Sequence, residues 1–556
     1  MDDSSEIIQS RKNKVIAWIK DPYTLTFITI LILGIVIRLY YFSLTKSQPL
    51  WWDEADYMAY AKNLAGFPVE WSVSSQHNTL FYYIVALLFK FALSEVAIKF
   101  ILEILPSILI IAIVYFISVE AYKDKKIALI SAFLMATLWS ILFNSMRFHL
   151  GIPALFFGLL AILVFWQGYE KKKLIFGKIK SHWAIPLVAV LSVLSYGFRR
   201  GYFVFGFFFI IYMLLTRKFT HLVKDKYNWI ALAVSIPLIL FLEFFAFLAP
   251  ITKVAAKYTS GETPFNLLPF DVFPAFFQNT SNALASPLLY LFWLGALALL
   301  ANIFISLGHI RKSQNSKVRS DLFFILTIAI TLSYFLFYQQ AQGDFGEPRW
   351  YFPLLMGSFI CISRSTTIIA NFFKKYHKYI PIIIIVVLVG YGGYYQIQHA
   401  DPIIKSKVSS FTGVKEAGLF IQSNSNPSDS ALGYPTPVLA YYSERNVEDP
   451  EWIFEKRFSE VSLEEFTQAM KDNPEIRYLV IYIFEPALPP WMVQLNYFQN
   501  SQNGQTIIGS IEVPFMDTQL DLINQQQTVK ETMEIDGITF RLASTHQDTF
   551  IYEISR

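Results

Sequence analysis

The stretch SQPLWWDEADYMAYAKNLAG, Ser47–Gly66, sets Asp53, Glu54 and Asp56 beside two tryptophans, directly after the apolar run 22–44. Its meaning depends on what surrounds it. Of 556 residues, 54% are hydrophobic, 17% aromatic and only 16% charged, with a mean hydropathy of +0.41. Soluble domains carry roughly 25% charged residues, and 52 Phe with 31 Tyr exceed what one soluble core would bury. The chain therefore reads as a polytopic α-helical membrane protein. A net charge of +4 gives no reason to expect nucleic acid as a partner. The single Cys361 excludes an internal disulfide and a thiolate metal cluster. The polar start MDDSSEIIQSRKNKVIAWIK leads into a run of full spanning length and reads as a signal anchor without a cleavable signal peptide.

A spanning helix needs about 20 mostly apolar residues. Such runs lie near 22–44, 98–121, 127–143, 152–168, 183–197, 202–216, 229–248, 286–308, 322–338, 351–369 and 380–396, about eleven in all. TLFYYIVALLFKFAL (79–93) is too short to span, carries Lys90, and is expected to be interfacial, with a re-entrant helix as the alternative. With residues 1–21 in the cytoplasm, the inner loops hold roughly 23 basic residues against about 9 outside, as the positive-inside rule requires. Counting 79–93 as a span would reverse that bias. The expected organisation is a cytoplasmic tail 1–21, a transmembrane domain 22–396 with a first external loop 45–97, and an extracytoplasmic α/β domain 397–556. In the last, FTGVKEAGLFIQSN and SLEEFTQAMKDN have helical periodicity, whereas IRYLVIYIF and DTFIYEIS read as strands. It shows no phosphate loop, nucleophile elbow or metal-ligand spacing.

WWDEADY thus faces outward. If a helix begins near Trp52, then Asp53, Asp56, Tyr57 and Tyr60 share one face. As a plain helix start, Asp53 would be the N-cap and Asp56 the acid at N3. The other outer turns argue for more. NSMRFHLG carries Arg147 and His149, GFRRGY carries Arg199 and Arg200, and GDFGEPRWYFP carries Glu347, Arg349 and Tyr351. Any one of these could snorkel to headgroups, but three such turns on the face that disfavours cations invite a shared reason. A carboxylate can take a proton from an acceptor hydroxyl, and guanidiniums can neutralise a departing phosphate.

The Asp-Glu pair after the first span resembles the Asp-Glu motif of the GT-C membrane glycosyltransferases, in their protein O-mannosyltransferase and aminoarabinose transferase branch. HNTLFYYIVALLFKF, FNSMRFHLG and EPRWYFPLL continue the resemblance in order over roughly residues 20–400. It implies transfer of a sugar, with inversion, from a polyprenyl-phosphate carrier to a hydroxyl acceptor at the outer face of the plasma membrane. Asp53 would be the base, and Glu54 would order the site or the donor phosphate. Arg147, Arg199, Arg200, Arg349, Tyr351 and His77 would hold the donor, with Asp56, Tyr57, His149 and Glu347 in support. Of the family's His-Pro-Pro-Leu only His77 and Leu80 are present, with Asn78 and Thr79 in place of the prolines. NSMRFHLG lacks the second acidic pair that oligosaccharide-transferring relatives use for a divalent metal. No obligatory cofactor is therefore expected, although Glu54 and His77 could bind such an ion.

A different class stays open: a transporter or flippase of polyprenyl-linked lipids. Transporters place polar groups near the midplane on broken helices, whereas the midspan residues here are almost all apolar, with Glu103 and Glu243 as exceptions. A non-catalytic receptor would leave the outward carboxylates without a task. In the loop 249–285, Lys253 and Lys257 read as a solvated face, and Asn279-Thr280-Ser281 is a weak glycosylation sequon.

Overall fold

The first apolar run forms the helix Pro22–Thr45 in the computed structural model of the chain, with Asp21 as N-cap and Pro22 at its first position. Asp21 Oδ2 accepts from the Thr24 amide at 3.3 Å and pairs with Lys125 at 2.7 Å, satisfying a donor that a helix start leaves open. The structure describes residues 20–71, 79–243, 284, 288–306, 316–342, 348–485, 487–498, 507–521, 526–528 and 530–556. His77, Glu347, Lys253, Lys257 and the Asn279 sequon lie outside them, as does the side chain of Glu243.

Among the described residues, seven helices are long and apolar enough to cross a membrane: Pro22–Thr45, Glu95–Tyr122, Gly151–Glu170, Ser181–Phe198, Leu288–Ile305, Pro348–Lys375 and Ile380–Ser406. Lys125–Thr137 and Trp139–Ser145, bent by 49°, make an eighth if counted together. The remaining expected spans are helical but differ. Arg200–Thr216 and Lys226–Leu242 are shorter, the former because the backbone is extended at Arg199. Residues 322–338 lie within Ser316–Gln342, whose first turns carry Lys317, Arg319 and Asp321 and dilute its apolar length. The run at 79–93 is the short apolar helix Thr79–Lys90.

Two compact units emerge: residues 1–47, 75–81 and 94–406, and residues 48–74, 82–93 and 407–556. Inside the first, Arg38 is fully buried in an apolar helix and joins Glu103 as a midspan ionisable group. It explains the bend. The helix ending at Thr137 leaves carbonyls open, and Arg38 donates to Ala136 O at 3.0 Å, Met135 O at 3.1 Å and Ser107 Oγ at 3.0 Å. A buried guanidinium needs such partners. Close packing depends on Gly295, where a Cβ would lie 1.9 Å from the Cys361 carbonyl oxygen.

The loops of this unit alternate between two ends, as the spans require. One end carries the ion pairs Lys173–Glu120 (2.8 Å), Arg217–Glu170 (3.0 Å) and Arg319–Glu170 (3.7 Å). The other carries the turns of Arg147, Arg199 and Arg349.

In the second unit, a six-stranded mixed sheet has the order β2-β1-β3-β10-β9-β8. Its strands are β1 (Ser430–Gly433), β2 (Asn446–Glu448), β3 (Ile476–Tyr482), β8 (Thr532–Ile535), β9 (Ile538–His546) and β10 (Thr549–Ser555). β1 is parallel to both β2 and β3, and β10 runs antiparallel to β3. A four-stranded antiparallel sheet, β4 (Gln494–Phe498) to β7 (Gln526–Thr528), adds β5 (Ile507–Val513) and β6 (Thr518–Asp521). Helix Leu463–Asp472 starts on a capping box of Ser462 and Glu465 and buries Phe466 against Phe540 and Phe515. Truncating such a residue to Ala costs about 3–5 kcal/mol.

Candidate active site

The turn between Ser145 and Gly151 buries its polar residues. Arg147 is 9% exposed and His149 2%, with the His149 amide donating to the Arg147 carbonyl at 3.0 Å. The Arg147 guanidinium lies 5.5 Å over the Phe143 ring. From the far end of the sequence, the 3₁₀ helix Pro348–Leu354 brings in Arg349, itself 8% exposed. Its Nη1 donates to His149 Nδ1, so the imidazole serves as acceptor and is neutral. Burial, and then the charges of Arg349, Arg147 and Arg199, hold its pKa well below the usual histidine range. Three turns that are far apart in sequence therefore place cations within electrostatic reach of one imidazole, and Arg349 touches it.

Tyr202 ties two of them together. Its hydroxyl donates to the Arg349 carbonyl at 3.1 Å, and its amide donates to the Arg199 carbonyl at 2.9 Å. Tyr202 is fully buried and feels the charges of Arg199, Arg349 and Glu103. Arg200, half-buried, is not among the charges that act on His149. Tyr351 is fully buried.

Three residues of this cluster carry more weight than their sequence signal suggested. Tyr202 lay in the quoted turn GFRRGY without being singled out. Lys99 is 1% exposed with its Nζ 5.3 Å over the Phe148 ring, and Glu103 is fully buried. Between them the chain forms a π-helical turn, Phe100–Ile104, a geometry that often marks functional positions. Lys99 lies at the start of the expected span 98–121.

The acids belong to the second unit. The helix Trp52–Ala65 starts where expected, but its N-cap is Trp51, with no side-chain cap bond. Asp53 is therefore at N2 and Glu54 at N3, so the reading of Asp53 as N-cap and Asp56 as N3 acid fails. The extended backbone of Trp51 puts the N-cap two residues before Asp53. Asp53 is exposed, whereas Glu54 is 2% exposed. Asp56 Oδ1 accepts from Trp71 Nε1 at 2.8 Å. Tyr57 and Tyr60 pack on Tyr82, at 6.0 and 5.1 Å. The helix ends at Gly66, whose φ of 95° an L side chain would strain. Near that end Lys62 donates to Glu444 Oε1 at 2.7 Å and to the Tyr441 carbonyl at 3.0 Å. One face of the helix is thus fixed, and Asp53 is on its exposed side. Among the described residues, no group of three or more His, Cys, Asp or Glu side chains is arranged to hold a metal ion.

No family model and no curated protein sequence matches the chain. Solved structures do. The archaeal oligosaccharyltransferase AglB from Archaeoglobus fulgidus, in complex with an inhibitory peptide and a dolichol-phosphate, is similar with a TM-score of 0.54 at 12% identity, over 88% of this chain and 74% of that one. ArnT from Cupriavidus metallidurans, bound to undecaprenyl phosphate, is similar with a TM-score of 0.53 at 11% identity, over 94% of this chain and 97% of that one. The chain has the fold of GT-C membrane glycosyltransferases, as its motifs implied.

Proposed function

We propose that this protein is an inverting glycosyltransferase that moves a sugar from a polyprenyl-phosphate donor to a hydroxyl acceptor at the outer face of the membrane. The observation that carries the reading is the contact of Arg349 with His149 in a turn where Arg147 and Arg199 also act electrostatically on that imidazole. Guanidiniums offer planar, charge-assisted donors that suit phosphate oxygens. A lipid-linked phosphate is the anion that the fold's relatives hold, as dolichol-phosphate in one and undecaprenyl phosphate in the other. In this reading the N-terminus is cytoplasmic and residues 407–556 lie outside.

As the bond from the anomeric carbon to the phosphate oxygen breaks, charge grows on the departing phosphate. The guanidiniums stabilise it more in the transition state than in the bound donor. Neutral His149 accepts from Arg349 and orients it without adding a fourth positive charge. Asp53 takes the proton of the acceptor hydroxyl as its oxygen attacks the opposite face of the sugar. Buried Glu54 positions the first turn that presents Asp53. The guanidiniums supply the positive charge, so transfer is expected to proceed without an added divalent ion.

The rival reading, a transporter of lipid-linked sugars, is favoured by the bent helix pair and by buried Glu103. Purified protein given a polyprenyl-phosphate-linked sugar and a hydroxyl acceptor decides between them. Release of free polyprenyl phosphate with a glycosylated product supports the enzyme. Movement of intact donor between leaflets without its turnover would establish the transporter.

A further inference from the structure

The start of the acidic helix also lines a cleft of the second unit. It has a volume of about 460 Å³ and is bounded by Trp51, Trp52, Lys407, Phe411, Tyr482 and Asp548 among others, within the range of about 300–1,000 Å³ for small-molecule sites. Its wall is aromatic and continuous: Trp51 to Phe411 is 6.3 Å between ring centroids, and Phe411 to Tyr482 is 5.6 Å. Trp52 keeps 39% of its surface exposed. Two charged groups stand within that wall. Lys407 Nζ lies 5.1 Å over the Trp51 ring, and burial pushes the Asp548 carboxyl up. Phe411 is held at φ 62°, ψ 18°, a left-handed conformation that a bulky residue adopts at a cost and that concentrates at functional sites.

We propose that this cleft is an acceptor subsite that binds a pyranose ring, so that the acceptor is a carbohydrate. The inference rests on the glycosyltransferase reading. A pyranose is amphipathic: its C–H face carries weak positive charge that suits an aromatic face, and its hydroxyl rim needs acceptors and donors. Aromatic rings together with Asp548 and Lys407 supply both. The charges of Asp548 and Lys407 balance, which suits a neutral ring better than a second phosphate. Trp52, which lines the cleft, immediately precedes the exposed Asp53 in the helix Trp52–Ala65.

The test uses full-length protein in detergent, with methyl α-D-mannopyranoside, methyl β-D-glucopyranoside and methyl N-acetyl-β-D-glucosaminide as probes in saturation-transfer NMR. At least one should receive saturation at its ring protons. Its affinity should fall at least tenfold in Trp52→Leu and in Asp548→Asn, each checked for an unchanged melting temperature. Absence of binding by every glycoside, or equal binding in both variants, overturns the proposal. So does Trp52-dependent binding of a serine-rich peptide in place of the glycosides. Thermal stabilisation by undecaprenyl phosphate is recorded in parallel on the wild-type protein. Its failure with glycoside binding intact counts against the donor reading and leaves the cleft standing.

Discussion

Arg349 and His149, 200 positions apart in the sequence, are joined by a hydrogen bond from Nη1 to Nδ1. The bond closes the first unit's candidate phosphate site. It fixes the planar guanidinium through a neutral acceptor. Arg147 and Arg199 act on the same imidazole, which makes the three arginines a group.

Replacing Arg349 by Ala should therefore weaken donor binding more than replacing Lys253 by Ala. Hydrogen bonds to charged groups contribute about 1.5–3 kcal/mol, roughly a ten- to hundredfold rise in donor Kd. Arg147→Ala and Arg199→Ala should each do the same, and Arg200→Ala less. Titration with polyprenyl phosphate measures this, and wild-type affinity in all three core variants would place the phosphate elsewhere.

Asp53→Asn should fold normally and lose at least about a hundredfold in turnover, the lower end for general base catalysis. Stability should hold because the helix N-cap is Trp51 and the substituted side chain is exposed. Glu54→Gln should lower stability and turnover together, since that carboxyl is buried. Calorimetry beside a transfer assay separates the two. Full turnover by Asp53→Asn removes the base.

Stability should depend on pH through His149. Its folded pKa lies well below the ordinary value of about 6.5, so the folded state binds fewer protons than the unfolded one. That contribution is complete above the unfolded pKa and is lost as pH falls through the interval toward the folded value. Melting temperature should drop between pH 7 and pH 5, and His149→Gln should flatten the drop. Parallel slopes for both proteins would contradict this.

Lys62 holds the far end of the acidic helix through Glu444 and Tyr441, with side chains only 11% and 17% exposed in the ion pair. Lys62→Met should cost about 1–3 kcal/mol locally and loosen residues 52–65. Hydrogen exchange should quicken there, and turnover should fall while phosphate affinity stays. Unchanged exchange would mean that the aromatic contacts of Tyr57 and Tyr60 suffice to hold the helix.

Orientation is checked by cysteine labelling in intact cells. Ser428→Cys should react with an impermeant reagent and Lys173→Cys should not. Labelling of Lys173→Cys from outside would reverse the topology.

Much was legible in the sequence, because apolar length and local periodicity are properties of contiguous residues. Over the described residues each expected span is largely helical, and the periodic segments at Thr412–Asn424, Leu463–Asp472, Ile476–Tyr482 and Thr549–Ser555 have the types read for them. The hairpin β8–β9 is legible too, in its two-residue Asp536-Gly537 turn. The turns of Arg147, Arg199 and Arg349 could be named as unusual from their charge alone. That they share one imidazole, while Arg200 beside them does not, follows from side chains 50 to 200 positions apart meeting across helices, which no local pattern encodes. The same holds for Arg38, whose burial is tolerable only because a bent helix offers it the carbonyls of Met135 and Ala136. It holds also for the acids: sequence placed Asp53, Glu54 and Asp56 on one helix start. Only the packing decided that Glu54 is buried, Asp56 accepts from Trp71 and Asp53 is exposed.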